Sequence, residues 1–332
     1  MFNRMRQFVS ARDAFELIQP ELEQVEREIA AESVASVAAI TDINRYLEDG
    51  GGKRLRPALL LLSNRLFGPI NDCARHLASV VEMIHTATLV HDDVIDLAQT
   101  RRGRPSPNVI WGNHSCVLAG DWLYMQAFQI ALRQRNFRVL DVLISLTQMM
   151  VEGEMLQLER LHRVDISEAD YMELVDRKTA SLFSACASLG AIAADAGEAA
   201  EAKLADFAWN LGMAFQLVDD ILDTTSNEKT LGKPAGSDLR EGKMTLPVIY
   251  AFERASPEER KAIEQVLTEG NHDQVPFAEI LAAIKRHGGI ERAYERAHSF
   301  TEKSRSILLN FPESPAQRAL LAIVDLVTER DS

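Results

Sequence analysis

Two stretches of the chain repeat one pattern of three aspartates: Asp92-Asp93-Val94-Ile95-Asp96 and Asp219-Asp220-Ile221-Leu222-Asp223. Each follows a long apolar pattern of helical period, which predicts that each stretch closes a helix. Because residues four apart share one face of a helix, the first and last aspartates of each stretch lie one turn apart. Like charges at that spacing repel, and the apolar pair inside each stretch indicates a buried setting. The pattern therefore predicts carboxylate clusters that a cation would stabilise.

A divalent metal is the cation that these clusters fit. A single copy of the pattern in an acidic, helix-rich chain is most often a solvated helix end, whereas two copies favour a metal site. Hard cations prefer carboxylate oxygens, and Mg²⁺ takes only one or two carboxylates together with phosphate oxygens of a substrate. We therefore predict two Mg²⁺-binding walls that face each other across a cavity, with a diphosphate between them.

Composition and charge narrow the class of protein. The 332 residues suffice for one large domain or two ordinary ones, and 46% of them are apolar. The net charge of −13 argues against a nucleic-acid binder, whose surface is normally basic. Three cysteines at wide, irregular spacing fit a reducing compartment. No segment reaches about 18 apolar residues, and residues 1–6 lack the apolar stretch of a secretory signal. We expect a cytoplasmic protein without a transmembrane segment.

Apolar residues recur at helical spacing along the chain, with no strand pattern, repeat or domain linker. The predicted helices cover residues 11–31, 34–48, 58–67, 72–97, 114–131, 135–160, 166–194, 200–223, 246–253, 257–268, 276–286, 289–309 and 315–329. The sequence therefore predicts the all-α class and a single all-helical domain over residues 1–332.

Basic residues accompany the acidic motifs. Residues 50–56 form a glycine loop with Lys and Arg at a predicted helix N-terminus, a favourable place for phosphate. A second basic loop, residues 101–104, begins five residues after Asp96 and can fold back over the first motif. A third, residues 224–243, combines lysines and glycines beside the second motif, as expected of a lid. These loops predict cations around a bound diphosphate.

Two further positions are candidates for contact with phosphate. His85 lies seven residues before Asp92, two turns back on nearly the same helix face. Lys178-Thr179 lies in an apolar context, where a lysine needs a partner. A satisfied core histidine and a plain surface lysine are the alternative interpretations.

Taken together, these motifs resemble the trans-isoprenyl diphosphate synthase family, over roughly residues 10–325 and in the family's order. The stretches that carry the resemblance are Gly51–Pro57, Asp92–Asp96 with Arg101-Arg102-Gly103, Lys178-Thr179 and Phe215–Asp223. The resemblance implies a helical bundle of isoprenoid synthase type around a central cavity, usually a homodimer. The segment Glu82–Asp93 is most similar to the octaprenyl-type long-chain branch.

The resemblance also implies roles for individual residues. Mg²⁺, as three ions per site with diphosphate bound, would be held by Asp92, Asp93, Asp96, Asp219, Asp220 and Asp223. The allylic diphosphate would be held by Arg101, Lys178, Thr179, Gln216 and Lys233. Isopentenyl diphosphate would be held by Lys53, Arg56, His85 and Arg102. The catalytic set would be Asp92, Asp96, Arg101, Lys178, Asp219 and Lys233. The C-terminus departs from relatives with a basic tail, because only Arg330 is available there.

The implied reaction is condensation of isopentenyl diphosphate with an allylic diphosphate such as farnesyl diphosphate. Ala87 and Thr88 are small where short-chain relatives often carry an aromatic floor. Since the depth of an apolar site limits the chain it holds, we expect a product of about C30 to C50, with octaprenyl favoured. Alternatively, side chains of residues 122–128 could block the site and limit the length of the product. Quinone side chains are the implied use.

Other functions stay open from the sequence. A geranylgeranyl or farnesyl diphosphate synthase would give a short product. A class I terpene cyclase would need only one diphosphate. A metal-dependent phosphohydrolase would use His91 with Asp92 and leave the second motif unexplained. A non-catalytic helical subunit need not keep both motifs and all the basic loops.

Overall fold

The computed structural model describes residues 10–225 and 236–328, and helices fill most of them. The first helices are α1 (Ala11–Glu16), α2 (Gln19–Glu32), α3 (Ala38–Asp49), α4 (Leu55–Arg65), α5 (Asp72–Ile95), α6 (Pro107–Trp111), α7 (Asn113–Arg133) and α8 (Phe137–Arg160). They are followed by α9 (Glu168–Val175), a π-helix (Asp176–Ala180), α10 (Ser181–Ala193), α11 (Glu198–Thr225), α12 (Ser237–Arg240), α13 (Leu246–Arg254), α14 (Pro257–Glu269), α15 (Phe277–Arg286), α16 (Gly289–Leu308) and α17 (Pro315–Thr328). The predicted all-α class is confirmed.

The basic loop after the first motif contains a small antiparallel hairpin. Its strands are β1 (Thr100–Arg101) and β2 (Arg104–Pro105), with Arg101 opposite Arg104. Arg102 and Gly103 between them both have positive φ, at 52° and 74°, as a two-residue hairpin turn of type I′ requires. The prediction of no strand was wrong here, because two-residue strands are too short to show a period of two.

Two predicted helices are interrupted. The predicted helix over residues 11–31 breaks at a turn after Glu16, and the one over residues 166–194 contains the π-helix. Helix α4 begins at Leu55, three residues before the predicted start, and Arg54 caps it in the left-handed conformation at φ 48°. The other predicted helices are present, with ends that differ by a few residues.

The chain divides into two compact units. Unit 1 comprises Met1–Ser145, Ala185–Ala205 and Phe311–Ala322, and unit 2 comprises Leu146–Ser184, Asp206–Asn310 and Ile323–Ser332. The expected single domain over residues 1–332 stays a prediction.

In unit 1, helix α5 carries the first motif and packs against α2, α4 and α7. The approach to α7 is close, because an added Cβ at Gly120 would lie 2.3 Å from His91 Nε2. That nitrogen also lies 3.1 Å from Val117 O, and the ring stacks on Tyr124 with centroids 5.9 Å apart. His91 is therefore committed to helix packing.

In unit 2, helix α11 carries the second motif and contributes apolar residues that have no exposed surface, including Phe207, Leu211 and Ile221. Ser304 Oγ of α16 donates a hydrogen bond to Phe207 O at 3.1 Å. Buried apolar area of this kind is the main stabilising contribution to a helical core. Across residues 10–225 and 236–328, no helix combines the length and apolarity that a membrane span requires.

Candidate active site

The first aspartate motif closes α5, as predicted. Asp96 is the C-cap residue, and its backbone N–H donates to Asp92 O at 2.8 Å. The two side chains therefore lie one turn apart on one helix face. The C-terminal end of a helix carries partial negative charge, which adds to that of the carboxylates. The end of α5 thus concentrates negative charge that a bound cation would stabilise.

The middle aspartate of this motif holds the basic hairpin. Asp93 is buried, with 1% exposure. Its Oδ1 accepts a hydrogen bond from Arg101 Nε at 2.7 Å, and its Oδ2 accepts one from Ser106 Oγ at 2.6 Å. Asn108 Nδ2 donates to the backbone O of Asp93 at 3.1 Å. The expected fold of the basic loop back over the acidic motif is confirmed, whereas the metal role of Asp93 stays a prediction.

A cation-rich cavity lies beside this motif in unit 1. Arg54, His85, Arg101 and Arg102 are among its lining residues. Arg56 Nη1 lies 3.1 Å from His85 Nε2. Burial and the neighbouring arginines hold the pKa of His85 well below its usual range, so the ring is neutral. Clustered cations repel each other, and an anion such as a diphosphate would offset that repulsion.

Three of the four residues predicted to hold isopentenyl diphosphate are thus together: Arg56, His85 and Arg102. Lys53 is exposed on the glycine loop and is not among the lining residues of this cavity.

Sequence reasoning missed Arg54 as a structural centre of the basic loop. Its Nη2 donates to Glu26 Oε2 at 2.9 Å and its Nη1 to Glu82 Oε1 at 2.6 Å. A non-glycine residue at positive φ costs about 1–2 kcal/mol, so these two ion pairs hold Arg54 in an unfavourable conformation. The available signal was Glu82, an acidic residue within an otherwise apolar helix face.

The two positions predicted to control chain length differ in access. Ala87 has no exposed surface, whereas Thr88 is half-buried and its Oγ1 donates to His85 O at 2.7 Å. Thr88 precedes Asp92 by one helical turn and so shares its face. Ala87 lies away from that face. Both roles stay predictions.

The second motif lies in the last turns of α11, as predicted. Asp220 is buried, and it accepts hydrogen bonds from Tyr171 OH and Gln216 Nε2, both at 2.7 Å. Burial, with the charges of Asp238 and Asp219, nevertheless raises the pKa of Asp220 to about 8. An ionised carboxylate here needs more positive charge than the surrounding hydrogen bonds provide.

The last aspartate of this motif organises the segment that follows it. Asp223 Oδ1 accepts from Ser237 Oγ at 2.6 Å, and its Oδ2 accepts from the backbone N–H of Asp238 at 3.2 Å. Asp223 is buried, whereas Asp219 is half-buried. The carboxylate of Asp223 therefore fixes the start of α12 beside the motif.

Lys178 and Thr179 lie in the π-helix of unit 2. Lys178 Nζ lies 2.6 Å from Glu154 Oε2 and donates to Gln157 Oε1 at 3.0 Å. Thr179 Oγ1 donates to Gln216 Oε1 at 2.8 Å. A continuous hydrogen-bonded chain thus runs from Thr179 through Gln216 to Asp220.

A cavity in unit 2 brings most of the predicted residues of that unit together. Lys178, Thr179, Gln216 and Asp220 line it. Arg160, Asp238 and Lys243 also line it and were missed as site residues, although Gly242-Lys243 in the basic loop was a signal for one of them. The predicted Lys233 lies outside the described residues, as does Arg330.

The donor groups of both motifs suit a hard divalent cation. Among residues 10–225 and 236–328, no three His, Cys, Asp or Glu side chains are already gathered as a complete ligand set. Mg²⁺ bound through one or two carboxylates and substrate phosphates needs no such set. A bound cation would stabilise the ionised form of Asp220, whose pKa is raised. It would likewise offset the negative charge at the end of α5.

Comparison with known proteins agrees with this arrangement. The family model described as polyprenyl synthetase matches residues 37–284. The chain is 35% identical to "Octaprenyl diphosphate synthase" of Haemophilus influenzae, over 99% of each chain. It is 38% identical to "Geranylgeranyl diphosphate synthase" of Sulfolobus acidocaldarius, over 80% of this chain and 82% of the relative.

A solved structure shows the same fold. The polyprenyl synthase of Caulobacter crescentus, complexed with calcium and isoprenyl diphosphate, superposes with a TM-score of 0.93 at 36% identity, over 98% of this chain and 100% of that one. The helical architecture, the position of both aspartate motifs at helix ends and the near full-length similarity have one common explanation. The chain belongs to the polyprenyl synthetase family and is a prenyltransferase.

Proposed function

We propose that this protein is a long-chain, all-trans polyprenyl diphosphate synthase. It condenses isopentenyl diphosphate with an allylic diphosphate, such as farnesyl diphosphate, in a Mg²⁺-dependent 1'-4 head-to-tail reaction. One observation carries the proposal: each unit has its own cation-lined cavity together with an aspartate motif. A condensing enzyme must hold two diphosphates, whereas a cyclase or a hydrolase needs only one.

The residues of unit 2 support ionisation of the allylic substrate. Lys178, Thr179 and Gln216 present one cation and two hydrogen-bonding groups around a single cavity. Such preorganised groups stabilise the charge that develops on a departing diphosphate. Bound Mg²⁺ would neutralise further charge on diphosphate oxygens, and the aspartates of each motif are its proposed ligands. In unit 1, Arg101 is kept in place by Asp93 and is itself a proposed diphosphate ligand.

The residues of unit 1 support binding of isopentenyl diphosphate. Arg56 and Arg102 offer planar forks of N–H donors that match diphosphate oxygens. Neutral His85 orients Arg56 without adding a charge. Held close to the allylic carbocation, the double bond of isopentenyl diphosphate attacks it. The departed diphosphate takes the released proton, and the chain is five carbons longer.

Small residues on α5 support a long product of about C30 to C50, for use in quinone side chains. Thr88 shares the face of Asp92 and is half-buried. A chain that grows along this face first meets a small side chain rather than an aromatic ring.

We expect the substitution Thr88→Phe to shorten the product by several isoprene units, because the larger ring occupies the path below Asp92. Product length is read by mass spectrometry. Ala87→Phe tests the second predicted chain-length position, and it should also shorten the product. Ala87 has no exposed surface, so this change should cost about 1–3 kcal/mol of stability through overpacking. An active Thr88→Phe protein with an unchanged product would contradict the assigned path.

A homodimer is part of the proposal, and exposed apolar residues on α7 support it. Leu118, Met125 and Leu132 recur every seven residues and are 63%, 65% and 49% exposed. The first turn of α8 adds Phe137, which is 82% exposed. A stripe of this spacing is typical of packing between helices.

Met125→Asp should therefore dissociate the dimer, because it places two charges in an apolar interface related by twofold symmetry. Sedimentation velocity measures the mass, and Leu309→Asp, at an apolar residue that is 59% exposed and lies outside this helix, is the matched control. A wild-type chain that sediments as a monomer would disprove the dimer.

The nearest alternative is a geranylgeranyl or farnesyl diphosphate synthase, since one similar protein carries the former name. The phosphohydrolase interpretation loses support, because His91 packs against Gly120 and Tyr124 rather than lining either cavity described above. A cytoplasmic location is proposed on the composition alone.

A product assay tests the proposal. Purified protein receives Mg²⁺, farnesyl diphosphate and excess labelled isopentenyl diphosphate, and chain length is read by mass spectrometry. We expect a ladder of products that ends between roughly C35 and C50, the range that a long apolar site would hold. EDTA should abolish this elongation. A stop at about C20 would support the short-chain alternative. Absence of elongation with several primers would disprove a condensing enzyme.

A further inference from the structure

The π-helix Asp176–Ala180 interrupts what would otherwise be one helix from α9 to α10. The backbone N–H of Ser181 donates to Asp176 O, which is the i→i+5 bond of a π turn. Such a turn inserts one extra residue, is rare, and is frequently found at functional sites. Here the inserted turn contains Lys178 and Thr179.

Glycines on two neighbouring helices make room for this turn. An added Cβ at Gly153 of α8 would lie 3.0 Å from Arg177 Cβ and 3.1 Å from Lys178 N. An added Cβ at Gly212 of α11 would lie 2.7 Å from Ala180 Cα. The backbone of the turn is thus in close contact with α8 on one flank and α11 on another.

One face of α11 contacts the turn at three levels. Trp209 Nε1 donates to Asp176 Oδ1 at 2.5 Å, Gly212 packs on Ala180, and Gln216 accepts from Thr179. These positions are three and four residues apart, so they share a helix face. The same face continues to Asp220 of the second motif.

We propose that Trp209 and Asp176 are positioning residues, which hold the π turn so that Lys178 and Thr179 meet the allylic diphosphate. The proposal rests on the function proposed above. The hydrogen bond from Trp209 fixes the first residue of the turn, and Gln216 fixes the fourth. Without the first contact, the extra residue can shift along the helix and carry Lys178 away from the cavity it lines.

The substitution Trp209→Phe tests this, because it removes the N–H donor but keeps a ring against Phe300, now 5.8 Å away between centroids. We expect KM for the allylic diphosphate to rise about tenfold, while KM for isopentenyl diphosphate stays unchanged. Calorimetry with inorganic diphosphate and Mg²⁺ should show a similar loss of affinity. Trp111→Phe in unit 1 is the matched control, and it should change neither quantity.

Substitutions of Asp176, which accepts the hydrogen bond from Trp209, separate the effect of that bond from the effect of the carboxylate charge. Asp176→Asn keeps an oxygen acceptor for Trp209, so its KM for the allylic diphosphate should stay within about threefold of wild type. Asp176→Ala removes the acceptor, so its KM should rise as much as that of Trp209→Phe. If Trp209→Phe does not fold, the Asp176 pair gives the same comparison. An unchanged allylic KM in Trp209→Phe, or in Asp176→Ala, would overturn the proposal. An equal rise in both substrates' KM would also overturn it.

Failure of this proposal differs from failure of the proposed function. If the wild-type chain elongates no primer, the function is wrong, and calorimetry with inorganic diphosphate still tests the positioning role. If the wild type is active and the variants keep its KM values and affinity, only the positioning role is wrong.

Discussion

Replacing Asp92 with Asn is expected to lower kcat about a thousandfold, because the variant loses a carboxylate that holds metal against the departing diphosphate. The protein should remain folded. Asp92 lies in the last turn of α5, where negative charge is unfavourable, so its removal should leave stability equal or raise it by about 0.3–1 kcal/mol. Single-turnover kinetics at saturating Mg²⁺ measures the chemical step.

The control for this variant is Asp141→Asn, at an exposed aspartate on α8 that lines neither of the cavities described above. It should leave kcat unchanged. If Asp92→Asn keeps the wild-type kcat, the first motif is not a metal site. A loss that is present at low Mg²⁺ and absent at saturating Mg²⁺ would instead mean that Asp92 contributes affinity for the metal alone.

Asp220→Asn is expected to abolish activity and, in the absence of metal, to stabilise the fold. The pKa of Asp220 is raised to about 8, chiefly by burial, so at neutral pH the metal-free fold retains a proton that the unfolded chain has released. An Asn side chain resembles that protonated acid and has no charge to bury. We expect about 1–3 kcal/mol of added stability at pH 8, together with at least a hundredfold lower kcat.

The pH dependence of stability follows from the same carboxyl. Below about pH 4, Asp220 is protonated in both the folded and the unfolded states, so its ionisation does not lower the free energy of unfolding. Between about pH 4 and pH 8 the unfolded state releases the proton first, so stability falls as pH rises, by at most about 1.4 kcal/mol per pH unit. Above the folded pKa the contribution is constant. In Asp220→Asn this part of the slope should disappear.

Urea denaturation in EDTA from pH 5 to 9 measures this effect. Mg²⁺ with inorganic diphosphate should then stabilise the wild type and leave Asp220→Asn almost unchanged, because a ligand stabilises only the state that binds it. A variant less stable than wild type at pH 8 would show that Asp220 is a structural hydrogen-bond acceptor for Tyr171 and Gln216 instead.

Much of the fold could be predicted because helices leave a period in the sequence. The apolar spacing located α5, α11 and the helices from α13 to α17 to within a few residues. It also placed the first and last aspartates of each motif one turn apart. The period cannot reveal the hairpin at residues 100–105, whose strands are two residues long, or the break between α1 and α2.

The candidate site was predictable at the level of residue type. Acidic motifs, glycine loops and nearby lysines and arginines identify a diphosphate chemistry, and the structure gathers Arg56, His85 and Arg102 in one unit. It gathers Lys178, Thr179 and Gln216 in the other. Pairings between distant residues could not be predicted, such as Arg54 with Glu26 and Glu82.

The sequence by itself determined the helical class, the two carboxylate clusters and the basic loops around them, because helix period and charge are local properties of the chain. Tertiary structure alone decided which carboxylates are buried, which cation holds which acid, and where the backbone departs from an α-helix. Arg101 donates to one oxygen of Asp93, and burial raises the pKa of Asp220. The π turn at Lys178 exists beside glycines of α8 and α11, and no local pattern encodes that contact.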